Sequence, residues 1–335
     1  MRRNLKKIFI ATFSLILLVL PFLFRNDYQV YVMNRALIHV ILASGLVFLT
    51  GFAGQISLGQ AGFYALGAYT SAILTSRLGV PIPLGIASGV LLSTVAGLVL
   101  AVPSFKLKAF FLSLVTIAFG QIVWLLLLNL DSLTGGPGGL FSIPMMRFGS
   151  FVFTNTAYYY LFLIFTVLTV EIMRRIKFSH IGRQLFAVND DEIAAETCGI
   201  DSRKAKVFAF GFSAGLAGLA GGFYAHMAGF LTPEPFVFFE SSNFVAMAVL
   251  GGLRRLCGGV IGGVTLTWLP ELLRLNIRGF ENYYLIINAG IVILIVVFLP
   301  NGLGEKLFAL LGKLWKEDPQ HETLRSGVDR RGKLQ

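Results

Sequence analysis

The chain has 335 residues, 56% of them hydrophobic and only 13% charged, with a mean hydropathy of +0.76, where a water-soluble protein carries about a quarter charged residues. That composition excludes a soluble globular domain and makes lipid the main solvent. The net charge of +11 fits either a nucleic-acid partner or membrane orientation, and two distant cysteines, Cys198 and Cys257, exclude a disulfide framework or a CxxC metal site.

A spanning helix needs roughly 20 mostly apolar residues. Runs of that kind occur at 8–24, 35–51, 83–102, 109–129, 157–173, 206–228 and 283–299. The glycine-rich stretch near 56–76 adds an eighth, and the short apolar pieces 243–253 and 258–273 read as a broken or re-entrant pair. The expected fold is therefore all-α, a polytopic transmembrane bundle of about 8–10 spans. Residues 1–300 form the membrane domain and 301–335 a charged tail. The basic, apolar N-terminus has no A-x-A-like cleavage site and reads as a retained first helix.

With the N-terminus inside and ten passages, the segments placed inside carry 22 of the 28 Lys and Arg residues. Arg25, Arg35, Arg77, Arg147, Arg274 and Arg278 fall outside. This is the positive-inside pattern with both termini cytoplasmic, and it accounts for the basic charge without nucleic acid.

Two connections are long. In 130–156, Gly135, Gly136, Pro137, Gly138 and Gly139 oppose regular helix. In 174–205, inside the cell, Asn189 is placed to cap a helix, with Asp190 and Asp191 in its first turn and Glu192 three residues on, as in a capping box. Gly199 supplies the stop. A helix of about two turns is marginal alone and must be held by packing.

Energy-coupling chemistry is absent from the chain. Gly327 to Lys333 spells the start of a phosphate-binding loop, but Leu334 replaces the magnesium-ligating hydroxyl and no strand precedes it. Acidic residues lie in loops or at helix ends, and His39 and His226 are the histidines within spans, where such a side chain bonds a neighbouring helix. No metal, Ser/His or Cys/His arrangement is identifiable, so the chain reads as a non-enzyme. A proton- or sodium-driven carrier remains an alternative.

The stretch GFAGQISLGQAGFYALGAYTSAIL at 51–74 is free of charge yet rich in glycine and amides. Gln55, Ser57 and Gln60 cannot face acyl chains without leaving polar groups unpaired, so they either hold helices together or line a pathway. Thr116 and Gln121, polar within an apolar span, and Asn243 at the mouth of the broken segment are further pathway candidates, although Thr116 can instead bond its own helix. Glycines four apart at 211 and 215, 218 and 222, and 258 and 262 read as packing seams.

In order, GFAGQISLGQAGFYALGAYTSAIL, GRQLFAVNDDEIAAETCGI, AGLAGLAGGFYAHMAGFLTPEPF and VLGGLRRLCGGVIGG closely resemble the LivM-type permeases of branched-chain amino acid ABC importers, over about residues 35–300. The resemblance implies a bacterial or archaeal cytoplasmic-membrane location and a paralogous permease beside this chain. It also implies two cytoplasmic ATPases that hold ATP and magnesium, no cofactor in this chain, and an extracytoplasmic solute-binding protein. Urea or short-chain amides are the alternative cargo. It further implies that 180–200 is the coupling segment that docks on the ATPase, with Arg183, Asn189, Asp190, Glu192, Ala194, Ala195, Glu196 and Gly199 as its coupling residues. Glu192, Ala194, Ala195 and Gly199 stand where the general ABC permease E-A-A…G signature places them, and its later I-x-L-P part is missing.

Overall fold

The computed structural model describes residues 20–21, 26–103, 109–148, 151–276 and 289–290. The spans expected at 8–24 and 283–299 and the tail from 301 lie outside the described residues, apart from short helical pieces at 20–21 and 289–290. The rest is a helical bundle. In chain order it comprises α1 (Asp27–Leu46) with a π-helical extension Val47–Phe52, α2 (Gln60–Arg77), α3 (Ile82–Ala101) and α4 (Ala109–Asn129). After the one-turn α5 (Asp131–Thr134) and a hairpin of β1 (Arg147–Phe148) and β2 (Phe151–Val152) come α6 (Asn155–Phe178), α7 (His180–Asp190) and α8 (Glu192–Thr197). The described part closes with α9 (Ser202–Ala228), α10 (Phe238–Gly251) and α11 (Gly258–Asn276).

Among the described residues, five helices are long and apolar enough to cross a membrane: α1 with its extension, α3, α4, α6 and α9. α2 and α11 have 18 and 19 residues, whereas α10 has 14 and is too short to cross. The expected broken pair is therefore present, with its first half starting at Phe238, earlier than the apolar run implied. Its turn is set by Gly252, whose φ of +100° suits glycine.

Side-chain size sorts the faces of the helices. On α3, Gly85, Gly89, Ser93, Gly97 and Ala101 recur every four residues and are buried, while Leu91, Val95, Val99 and Val102 point outward. Among lipids this is the expected pattern, because small residues admit a neighbouring backbone and large apolar ones meet acyl chains at no cost. The result is a close three-way contact of α2, α3 and α9. A Cβ on Gly67 would sit 2.2 Å from the Gly218 carbonyl oxygen, and one on Gly89 would sit 2.6 Å from that of Gly67. The glycine pairs of α9 and α11 are indeed seams, with Gly211, Gly215 and Gly222 against Leu98, Thr94 and Ile86, and Gly262 against the Met247 carbonyl.

Both histidines within the bundle tie helices together, as expected. Thr267 Oγ1 donates to the Gly263 carbonyl, so at 2.8 Å His39 Nδ1 is the donor to Thr267, linking α1 to α11. His226 Nδ1 faces the Pro144 carbonyl at 2.8 Å and must donate to it, leaving Nε2 to accept from Ser71 Oγ at 2.8 Å. Tyr158 completes that junction by donating to the His226 carbonyl and accepting from Met146 N–H. α2, α6, α9 and the long 130–156 connection are thereby locked at one end of the bundle.

Candidate functional site

The chain is unwound at the start of the glycine-rich stretch. α1 widens into a π-helix and stops, residues 54–59 run non-helically through the protein, and α2 begins at Gln60. Side chains alternate in this segment, with Gln55 and Ser57 buried and Ile56 exposed between them. Irregular backbone at this depth requires partners for its amides and carbonyls; the Gln55 N–H donates to the Leu49 carbonyl at 3.1 Å, and side chains supply several of the others. Thr50 Oγ1 donates to the Gln55 carbonyl at 3.1 Å, Thr116 Oγ1 accepts from Leu58 N–H at 3.0 Å, and Ser57 Oγ accepts from Gly59 N–H at 3.4 Å. Ser241 Oγ, on α10, accepts from Ala61 N–H at 2.9 Å in the first turn of α2.

These contacts sort the sequence candidates. Ser57 and Thr116 satisfy backbone, and Thr116 does so while also donating to the Ser113 carbonyl of its own helix at 2.8 Å. Gln60 Nε2 reaches the Ser213 carbonyl at 3.4 Å, but the side-chain oxygens of Gln55 and Gln60 are buried with no protein donor. Asn243 is buried on α10 and donates to Glu240 at 3.4 Å. Gln121 is half-buried on α4. The structure thus brings Gln55, Ser57, Gln60 and Thr116 to one break in the bundle.

Ser241 and Arg35 were missed by the sequence reading. The apolar run that starts at Arg35 points to an outside position for it, yet α1 begins at Asp27 and puts Arg35 more than two turns inside a helix. The polar residues Asp27, Gln29 and Asn34 hid that start, although Asn34 is fully buried, with Nδ2 donating to the Asn155 carbonyl at 2.9 Å.

The polar 174–205 connection is two helices rather than one. Asp191, not Asn189, is the cap: its carboxylate accepts from Ala194 N–H at 3.0 Å, and the break at Asp191 separates α7 from α8. Asn189 is on α7 instead, because its amide has a better partner. Nδ2 donates to the Gly51 carbonyl at 2.9 Å, at the end of α1 where the unwound segment begins. The neighbouring Asp190 pairs with Arg254 at 2.8 Å, in the turn between α10 and α11, and Lys177 donates to the Arg254 carbonyl at 3.4 Å. One short helix therefore touches both interruptions of the bundle. In the same turn burial pushes the half-buried Cys257 thiol above its usual range, which disfavours the thiolate.

α8 is held from behind. Glu192 binds Lys206, a nearly buried lysine of α9, at 2.6 Å, and Glu196 accepts from Ser202 Oγ. Ala195 packs inward, and Gly199, with φ of +80°, ends the helix as expected. The outward face presents Arg183, Ala194 and Ile193, the last of these 77% exposed, with Phe178 (71%) nearby.

A family model described as the permease component of branched-chain amino acid transport systems matches residues 28–297. The chain is 31% identical over 322 residues to the high-affinity branched-chain amino acid transport system permease protein LivM of Escherichia coli K12, covering 89% of this chain and 75% of that protein. It is 28% identical over 317 residues to the ribose import permease protein RbsC of Haemophilus influenzae, covering 89% of this chain and 92% of that one. To the LivH permease protein of Escherichia coli K12 it is 24% identical over 290 residues, covering 79% and 90%. No solved structure matches the chain. A match that takes in both interruptions of the bundle and the short helices that touch them carries the assignment: the chain belongs to the family of branched-chain amino acid transport system permease components.

Proposed function

We propose that the chain is the membrane-spanning permease subunit of an ATP-binding-cassette importer of branched-chain amino acids, paired with a related permease and driven by two separate ATPases that carry ATP and magnesium. An extracytoplasmic solute-binding protein delivers the cargo. The chain contributes no catalysis of its own and sits in the cytoplasmic membrane with both ends inside.

The observation that carries this reading is the position of α7 and α8. They present exposed apolar side chains outward, while Asn189 and Asp190 hold the ends of the unwound segment and of the re-entrant turn. A rigid element with a sticky outer face and two attachments to the breaks of a bundle transmits a push as rigid-body motion. Gln55 and Gln60, Thr116, Gln121 and Asn243 stand along the proposed path. The roles of Glu192 and Glu196 are inward, fixing α8 on α9, so the docking contact belongs to Ile193, Phe178 and Arg183.

Ile193→Glu tests the reading without touching the fold, since Ile193 is exposed and surface substitutions shift stability by about 0.5 kcal/mol or less. The expected result is a permease pair of unchanged melting temperature that loses its ATPases on size-exclusion chromatography, from a contact worth roughly 2 kcal/mol. Full retention of the ATPases by this variant and by Phe178→Glu contradicts it.

A further inference from the structure

Two opposite charges face each other inside the bundle. Tyr31, Arg35 and His39 lie four apart on α1 and share a face. On α10, Glu240 and Phe244 do the same. The His39 and Phe244 rings meet with centroids 5.6 Å apart, and the two helices each continue one turn from that contact, which brings Arg35 level with Glu240. Arg35 and Glu240 are near enough for each to feel the other's charge, and the neutral phenols of Tyr31, Tyr64 and Tyr224 stand near Arg35. Among the described residues no salt bridge joins them, and the Glu240 carboxylate takes its hydrogen bond from Asn243.

Depth follows from length. α10 ends at Gly251, packed on Gly258 at the end of the bundle that carries α7 and α8. Its 14 residues rise about 21 Å from there, within a hydrocarbon layer about 30 Å thick. Its first turn, with Glu240, therefore lies inside the layer, beside the start of α2. Arg35 is exposed between the buried Asn34 and Ala36, and Tyr64 of α2, Tyr224 of α9 and Glu240 of α10 stand near it, so its guanidinium faces the space between helices rather than lipid. The walls are aromatic: Tyr64 lies 5.6 Å from Tyr224, 5.1 Å from Phe236 and 5.9 Å from Phe244.

Ionisable groups at this depth persist where a ligand or partner uses them. We propose that Arg35 and Glu240 form a station for a zwitterionic amino acid. The planar guanidinium takes the α-carboxylate in a two-pronged contact, Glu240 takes the α-ammonium, and Tyr31, Tyr64 and Tyr224 receive an apolar side chain. The station deepens the permease reading and rests on it.

The test is leucine uptake by proteoliposomes holding the complete importer, with ATP hydrolysis measured in parallel. Arg35→Met lowers uptake about 100-fold and Glu240→Gln about 10-fold, as expected for loss of a charged hydrogen-bonding partner. Hydrolysis stimulated by the loaded solute-binding protein stays at its wild-type rate, and Arg35→Lys recovers part of the uptake. Wild-type leucine uptake by Arg35→Met overturns the station alone. An equal fall in uptake, hydrolysis and yield of assembled complex for Arg35→Met, Arg35→Lys and Glu240→Gln also overturns it, in favour of a structural charge pair. A wild-type importer that moves no amino acid overturns the permease reading itself.

Discussion

Gly67→Ala strongly destabilises the bundle. The added methyl carbon lies 2.2 Å from the Gly218 carbonyl oxygen and 2.4 Å from its Cα, both backbone atoms that cannot rotate away. Relief requires α9 to move off α2, and α9 is already fixed on its other side by Gly218 itself, where a Cβ would meet Ser93 Oγ at 2.6 Å. Ser93 in turn donates to the Phe63 carbonyl of α2 at 3.0 Å, so a shift also breaks that bond. Overpacking a tight core costs about 1–3 kcal/mol, and a broken buried hydrogen bond adds about 1–3 more. The total is a large share of the roughly 5–15 kcal/mol that holds a protein folded. Thermal unfolding in detergent checks it against Gly138→Ala, where an added Cβ meets nothing within 4 Å. Gly138→Ala melts like the unaltered protein, and Gly67→Ala melts far lower or is not recovered.

The second large effect is functional. Asn189→Asp has the same shape as the original residue but replaces the amide that donates to the Gly51 carbonyl with an acceptor. The attachment of α7 to the unwound segment becomes a repulsion between two oxygens, while Asp190 still holds Arg254 and α8 remains anchored by Glu192 on Lys206. ATP hydrolysis by the assembled importer then continues, and solute moved per ATP falls by about 10- to 100-fold, the equivalent of roughly 1.5–3 kcal/mol of lost coupling. Asn189→Gln, with a donor at the end of a longer arm, recovers part of it. Uptake and phosphate release measured on the same proteoliposomes give the ratio.

Much of this was legible in the sequence, for identifiable reasons. Long apolar runs name their own helices because lipid leaves the backbone no alternative, and α3, α4, α6 and α9 lie within a few residues of their runs. Glycines four apart marked seams because only small residues let backbones approach. The histidines bonded neighbouring helices for lack of any other partner. What failed to show were helix starts made of polar residues. Asp27, Gln29 and Asn34 look like a loop until the neighbouring helices that bury Asn34 are known, and the same error moved Arg35 outside and delayed α10 past Glu240. The Asn189 cap failed for a related reason. Asp191 and Asn189 are both competent caps by type, and the tertiary bond to Gly51 decided between them. Ser57 and Thr116 are buried, as their polarity within apolar stretches implies, but polarity alone does not separate a solute contact from the completion of an unwound backbone.

The charges of Arg35 and Glu240 within the bundle also sharpen the contrast with an ion-driven carrier, which places ionisable groups at similar depth. One measurement separates the two engines. Proteoliposomes containing this chain and its permease partner, with and without the ATPases and the solute-binding protein, are given labelled leucine under an imposed proton or sodium gradient, and then with ATP inside. The account predicts accumulation only when the ATPases, the solute-binding protein and ATP are all present, regardless of the gradient. Accumulation driven by the gradient without the ATPases contradicts it.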